Sequence, residues 1–221
     1  MSRLVAFGCS NTKGDGLPDV YDIDKGLTPY NGLPSIHAWP KLLADKLEYE
    51  CLNLAVAGCS NKHICDILLN TPFKKTDTVV FMWTYFSRSC FFQDDGSVKR
   101  IMVQDISCLG MPTDHRRWNK SYYKTFYTDQ DAIKDAYFRA NFAKLYLDSI
   151  GIKNYHTTCH EQHDIKKVKA PLWNNVELLD IGFTLPRIDI ALDNDHPGLN
   201  SHKMFYNNLY NIIKEKEADD I

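Results

Sequence analysis

The chain has 221 residues, 44% hydrophobic and 24% charged, with a formal net charge of −2 at pH 7. This is the make-up of one globular domain with a core of its own, expected to span residues 1–221. It lacks the basic surplus that draws proteins onto nucleic acid or anionic membranes, and no apolar run is long enough to cross a bilayer.

In chain order, residues 3–7 form a short continuous apolar run, the signature of a strand buried on both faces. A Gly-, Pro- and Asp-rich loop follows from Gly14 to Pro34. Ser35 to Leu47 places Ile36, Trp39, Leu42, Leu43 and Leu47 at helical spacing, with Pro40 early enough for the first turn. Cys51 to Ala57 reads as a second strand closed by Gly58, and Ser60-Asn61 caps a helix running to about Leu69. Asp77 to Thr84, with Val79, Val80, Phe81, Met82 and Trp83, is a third buried strand. Residues 87–127 read as an irregular insertion with short helices, in which Asp94-Asp95-Gly96 marks a hairpin turn. A long helix is expected from Asp129 to Ser149, buried through Ala132, Ala136, Phe138, Phe142, Leu145 and Leu147 and ended by Gly151. A fourth strand follows at Asn154 to Thr158, and a short one around Val176–Ile181. The last helix is read from Ser201 to Lys214, with Met204, Phe205, Leu209, Ile212 and Ile213 inward and the charged tail Glu215–Asp220 frayed. Alternating strands and helices predict an α/β fold: a three-layer αβα sandwich around a parallel, flavodoxin-like sheet of about five strands. Ser10, Gly58 and the segment from Trp83 to Ser87 each follow a strand, so all three belong at one sheet edge, where such folds bind ligands.

That edge carries chemistry. The run Leu4-Val5-Ala6-Phe7-Gly8-Cys9-Ser10-Asn11-Thr12-Lys13-Gly14 ends in a small-residue turn that presents a hydroxyl, and Asp193-Asn194-Asp195-His196-Pro197 sets an acid three residues before a histidine. A serine hydroxyl becomes a nucleophile when a base takes its proton, and the base needs an acid to fix its tautomer. Asp193 is the first choice for that acid, and Asp195 competes with it.

These blocks resemble those of the SGNH (GDSL-type) hydrolase superfamily. Phe7-Gly8-Cys9-Ser10-Asn11-Thr12-Lys13-Gly14 looks like the first block, with Cys9 where the family usually has aspartate and Ser10 at the nucleophile. Asn53-Leu54-Ala55-Val56-Ala57-Gly58 looks like the second, whose glycine lends a backbone N–H to the oxyanion hole. Asp193 to Pro197 looks like the last, with His196 as base and Asp193 as its orienting acid. The third block departs from the pattern: alignment puts Phe86 where the family has an oxyanion-donating asparagine. Losing one such donor costs about 100- to 1000-fold in turnover. Thr84, Ser87 or Asn61 is placed to compensate. Compact phage-encoded members of the superfamily look similar here, with a Trp-Thr as in Trp83-Thr84.

The resemblance implies a serine esterase or deacylase acting on a small-molecule or glycan ester without metal or cofactor. Its triad is Ser10, His196 and Asp193; its oxyanion hole draws on Ser10, Gly58, Asn61 and Thr84; and its substrate contacts are Trp83, Tyr85, Ser87 and Arg88. A binding module on the same fold, inactivated by the altered third block, is the first alternative. The second is a hydrolase of a nucleotide or modified nucleic acid, suggested by Arg88, Arg116 and Arg117 beside Trp118, Tyr122 and Tyr123. The net charge argues against that reading, and surface packing explains the same residues. The cluster His156, Cys159, His160 and His163 has zinc-binding residue types, but too tightly spaced for a finger or ribbon; it reads as a loop with incidental histidines, some lining the pocket. The basic pairs Arg116-Arg117 and Lys166-Lys167 read as solvated loop residues. Seven cysteines without paired spacing indicate free thiols in a reducing compartment, with Cys9 a small buried filler. The apolar stretch before Gly8 is too short for a signal peptide, so the expectation is a cytoplasmic protein.

Overall fold

The computed structural model describes residues 2–29, 32–102, 113–159 and 184–219, with the side chains of 113–117 and 219 excepted. The strand expected around Val176–Ile181, the residues His160 and His163, the pair Lys166-Lys167 and Cys108 lie outside the described residues.

Four strands form a parallel sheet: β1 (Arg3–Phe7), β2 (Glu50–Asn53), β3 (Asp77–Trp83) and β6 (Lys153–Thr158), in the order β2-β1-β3-β6. Register runs from Arg3 opposite Asp77 to Phe7 opposite Phe81, and β3 continues to Trp83 opposite Thr158. The count among the described residues is thus four rather than about five.

The unbroken apolar runs of β1 and β3 are explained by two helical layers. Val5, Phe7, Val79, Phe81 and Trp83 pack on one face against α3 (Asn61–Leu69) and α5 (Asp129–Ser149). Leu4, Ala6, Val80 and Met82 pack on the other against α2 (Trp39–Leu47) and α6 (Leu199–Asp219). Alternate side chains of a strand point to opposite faces, so both sets must be apolar when both faces are covered.

Several boundaries differ from the sequence expectation, each for a local reason. Ser35 to Ala38 is a turn before α2, because Asp19 accepts from the Ser35 hydroxyl and the Ile36 N–H while Ser35 Oγ accepts from the His37 N–H; Ile36 is exposed. Past Asn53 the chain leaves the ladder, yet Leu54 N still donates to Ala6 and Val56 N to Gly8. On α5 the buried stripe is Ala136, Ala140, Ala143 and Leu147, while Phe138 and Leu145 are 70% and 68% exposed. Small residues let this helix approach Cys65 and the aromatic face of the sheet closely, and Phe138, Phe142 and Leu145 turn outward together. On α6, Phe205, Leu209 and Ile213 are buried at four-residue spacing and Met204 is exposed. The segment 215–219 is helical rather than frayed, held by Glu217 against Lys214 (2.9 Å) and Lys153 (3.8 Å).

The insertion is ordered where it is described. β4 (Ser89–Phe92) and β5 (Val98–Ile101) pair as an antiparallel hairpin about the expected Asp94-Asp95-Gly96 turn, and α4 (Thr113–Thr125) follows.

Candidate active site

β1 ends at Phe7, and a one-turn helix, α1 (Ser10–Lys13), opens immediately beyond it. The Cys9 carbonyl accepts from Thr12 and Lys13 N–H, and the Ser10 carbonyl from Gly14 and Asp15 N–H, so the turn is fixed by its own backbone. Asn53 Nδ2 donates to the Thr12 carbonyl at 2.9 Å, tying the second block to the first. Ser10 is buried, and its hydroxyl has no hydrogen-bond partner among the described residues.

The opposing loop is built around one carboxylate. Asp193 Oδ2 lies 2.6 Å from His196 Nδ1, and Asp193 Oδ1 accepts from the Asp195 and His196 N–H groups at 3.0 Å each. Asp193, not Asp195, is therefore the acid in contact with the ring; Asp195 is exposed. Burial disfavours the Asp193 anion, but the His196 ring and the two N–H donors outweigh it and hold the carboxyl down at about 2. Burial likewise opposes protonation of His196, and Asp193 outweighs it, raising the imidazole above its ordinary value. Such a pair has its Nδ1 proton fixed on the Asp193 side and leaves Nε2 for other chemistry. Asp189 braces the loop from behind, accepting from Asn200 N, Ser201 N and Ser201 Oγ at the start of α6.

A glycine that the motif reading passes over joins the two halves. Gly16 has φ +80°, its carbonyl accepts from Leu192 N at 3.0 Å, and a Cβ there would lie 2.4 Å from Asp193 Oδ2. The carboxylate thus rests on the bare backbone of the turn that begins at Ser10. Between them Asp15, whose N–H is bonded to the Ser10 carbonyl, acts electrostatically on His196 and pairs with buried Lys13 at 3.4 Å. Burial raises the Asp15 carboxyl. The only sequence signal for these residues was the local string Gly14-Asp15-Gly16.

Gly58, with φ +66°, sits in a turn in which Cys59 N donates to the Val56 carbonyl. The hairpin covers it: a Cβ at Gly58 would meet Met102 Sδ at 3.2 Å and Arg100 Cδ at 3.7 Å. Neither the Ser10 N–H nor the Gly58 N–H has an acceptor among the described residues.

The third block is arranged differently from the expectation. Phe86 turns toward α5, its ring 6.5 Å from that of Tyr137. Asn61 clasps the main chain of Thr84, with Oδ1 accepting from Thr84 N at 2.8 Å and Nδ2 donating to the Thr84 carbonyl at 3.2 Å. Thr84 is fully buried, and its Oγ1 accepts from Arg88 at 2.9 Å. The Arg88 guanidinium also lies 4.7 Å above the Tyr85 ring, and the Ser87 carbonyl accepts from the Tyr123 hydroxyl. Trp83 is a correction: it is a core residue, not a substrate contact. As an inward-facing member of β3 it stacks on Phe81 and His156 and donates its indole N–H to His156 Nδ1 at 3.0 Å. His156 is itself fully buried in β6, bonded through Nε2 to Asn154, so it does not line the pocket. Among the described residues no set of three His, Cys, Asp or Glu side chains could hold a metal. The side chains of Arg116 and Arg117 lie outside the described residues.

Cys9 is buried as expected, but in company. Its Sγ is 3.8 Å from that of Cys159, and the Cys159 thiol, with Arg88 and Thr84 behind it, lowers the Cys9 thiol against the opposing effect of burial.

No protein-family model matches the sequence, and no curated protein matches it. Solved structures do. A carbohydrate esterase whose active site is described as displaying divergent catalytic and non-catalytic binding functions superposes over 96% of this chain, with a TM-score of 0.56 and 15% identity. The acetyl xylan esterase Est2A from the rumen bacterium Butyrivibrio proteoclasticus superposes over 98%, with a TM-score of 0.52 and 13% identity. The chain shares its fold with these two esterases. The chain spans 64% of the length of each of these two esterases. Among the described residues, no helix is long and apolar enough to cross a membrane.

Proposed function

We propose that the protein is a serine ester hydrolase in which Ser10 is the nucleophile, His196 the general base and Asp193 the acid that orients it. The observation that carries this reading is the 2.6 Å Asp193–His196 pair seated on Gly16, in the turn that opens with Ser10. His196 Nε2 takes the Ser10 proton as Oγ attacks the ester carbonyl carbon, and Asp193 stabilises the imidazolium that forms. The Ser10 and Gly58 N–H groups hold the oxyanion. His196 then returns the proton to the departing alcohol, and water, activated by the same base, releases the acid from the acyl-Ser10 intermediate.

Small-molecule and carbohydrate-borne esters are the substrate class this reading favours, in keeping with the two esterases that share the fold. A fluorophosphonate probe tests it: the wild-type protein is labelled and Ser10→Ala is not. Failure of the folded wild type to label overturns the assignment. The orientation of Phe86 toward α5 favours one second reading, a binding module without turnover. That reading requires ligand affinity to survive Ser10→Ala and no hydrolysis across a panel of acetyl esters.

A further inference from the structure

The hairpin that covers Gly58 brings two arginines with it. Arg100 is half-buried, its Cδ against the Gly58 backbone, and burial pulls its guanidinium down to about 10. Arg88, just before β4, is half-buried, bonded to Thr84 and stacked on Tyr85.

Arg88 is unlike Arg3 and Arg139. Arg3 is forked onto Asp77 and Arg139 onto Asp135. Among the described residues no carboxylate pairs with Arg88. The acids around it are the Cys9, Cys159 and Cys59 thiols and the Tyr85 phenol rather than carboxylates. A half-buried guanidinium loses hydration that a counter-ion normally replaces, and its fixed fork of donors suits carboxylate or phosphate oxygens. Arg88 is bonded to Thr84, just past the end of β3, and acts electrostatically on Cys9, the residue before Ser10.

We propose that the ester cleaved at Ser10 carries a negatively charged group, a carboxylate or a phosphate, and that Arg88 binds it. The inference rests on the serine hydrolase reading and adds the substrate class to it. Arg88 presents its remaining N–H donors to the anion while Thr84 fixes the fork and Tyr85 supports its face. Arg100 adds a second positive charge on the Gly58 side.

The test compares esters that differ only in charge. On the alcohol side the pair is 4-acetoxybenzoate and its methyl ester; on the acyl side it is the 4-nitrophenyl monoester of adipic acid and its methyl-capped form. The wild type should favour the anionic member of at least one pair by about 10- to 100-fold in kcat/KM, the range of one charge-assisted contact, and added salt should shrink the ratio. The pair that responds tells which side of the ester bears the charge. Arg88→Gln should bring the ratio to near one, chiefly through KM, and Arg88→Lys should keep part of it. Calorimetric binding of 4-hydroxybenzoate to the wild type and to Arg88→Gln reads the same site on protein that turns nothing over. Equal kcat/KM within each pair, or a preference that survives Arg88→Gln, overturns the proposal. With fluorophosphonate labelling intact, that result leaves Ser10 as nucleophile. Loss of labelling with anion binding intact has the opposite meaning.

Discussion

Gly16→Ala isolates the contact that joins the two halves of the site. The added methyl would stand 2.4 Å from Asp193 Oδ2 and 2.5 Å from its Cγ, with the backbone at φ +80°. Ordinary carbon–oxygen contact begins at about 3.4 Å, so the carboxylate must retreat by about 1 Å. Holding alanine in the left-handed region costs a further 1–2 kcal/mol, roughly, in stability. Asp193 is held to His196 by a 2.6 Å bond and to two N–H groups, so its retreat rotates or drags the imidazole that must reach Ser10. A misplacement of about 1 Å costs about 100-fold in a positioned reaction. The assay is kcat for a short-chain acetyl ester alongside the rate of fluorophosphonate labelling, with chemical denaturation run on the same samples. The expected result is a fall of about 100-fold in both rates in protein that remains folded at assay temperature. Wild-type kcat combined with a lowered denaturation midpoint refutes the reasoning, because Gly16 would then serve the turn alone.

Other perturbations have separate signatures. Asp193 raises His196 above the roughly 6.5 of a free imidazole, and the base must be neutral to act, so the acidic limb of kcat/KM should lie above that value. In Asp193→Asn that limb should move to lower pH while kcat falls by as much as about 10,000-fold, checked by pH–rate profiles of both proteins. Because Asp193 is held at about 2, its contribution to stability should be complete above about pH 4 and lost as pH falls toward 2; denaturation midpoints of the wild type and Asp193→Asn should converge over that interval. Asn61→Ala strands the buried N–H and carbonyl of Thr84 and should cost about 2–4 kcal/mol in chemical denaturation.

The parts of the fold that were legible are those in which one chemical pattern sufficed. Val79 to Trp83 could only be a strand covered on both faces, and Ser60 before an apolar helical repeat could only be a cap; its Oγ does accept from His63 N. The faces of α5 were not legible, because periodicity marks two stripes, one of alanines and one of Phe138, Phe142 and Leu145. Size alone favours the wrong one: the tight fit against Cys65 and the sheet selects the alanines. At the site, the spacing from Asp193 to His196 was readable because a short loop connects them. The roles of Asp15, Gly16 and Arg100 were not, since each depends on contact with a segment remote in sequence. Trp83 was misread for the same reason: being last in its strand suggested the ligand edge, whereas its partner His156 places it in the core.

The division of labour within the site follows from these contacts. The Ser10 turn and the Asp193–His196 loop meet through backbone, Gly16 to Leu192, with little room for variation in either. The hairpin meets the site through side chains, Met102 and Arg100 on Gly58, and its approach from β3 carries Arg88. Backbone contacts fix distances between reacting groups, whereas side chains carried by an insertion can change charge and shape without disturbing those distances. On the proposed reading, chemistry belongs to the strand ends and the last loop, and substrate selection to the hairpin and the segment that leads into it. On this argument, replacing Arg88 should alter which ester is taken far more than it alters how Ser10 reacts with a fluorophosphonate, while replacing Gly16 should do the reverse.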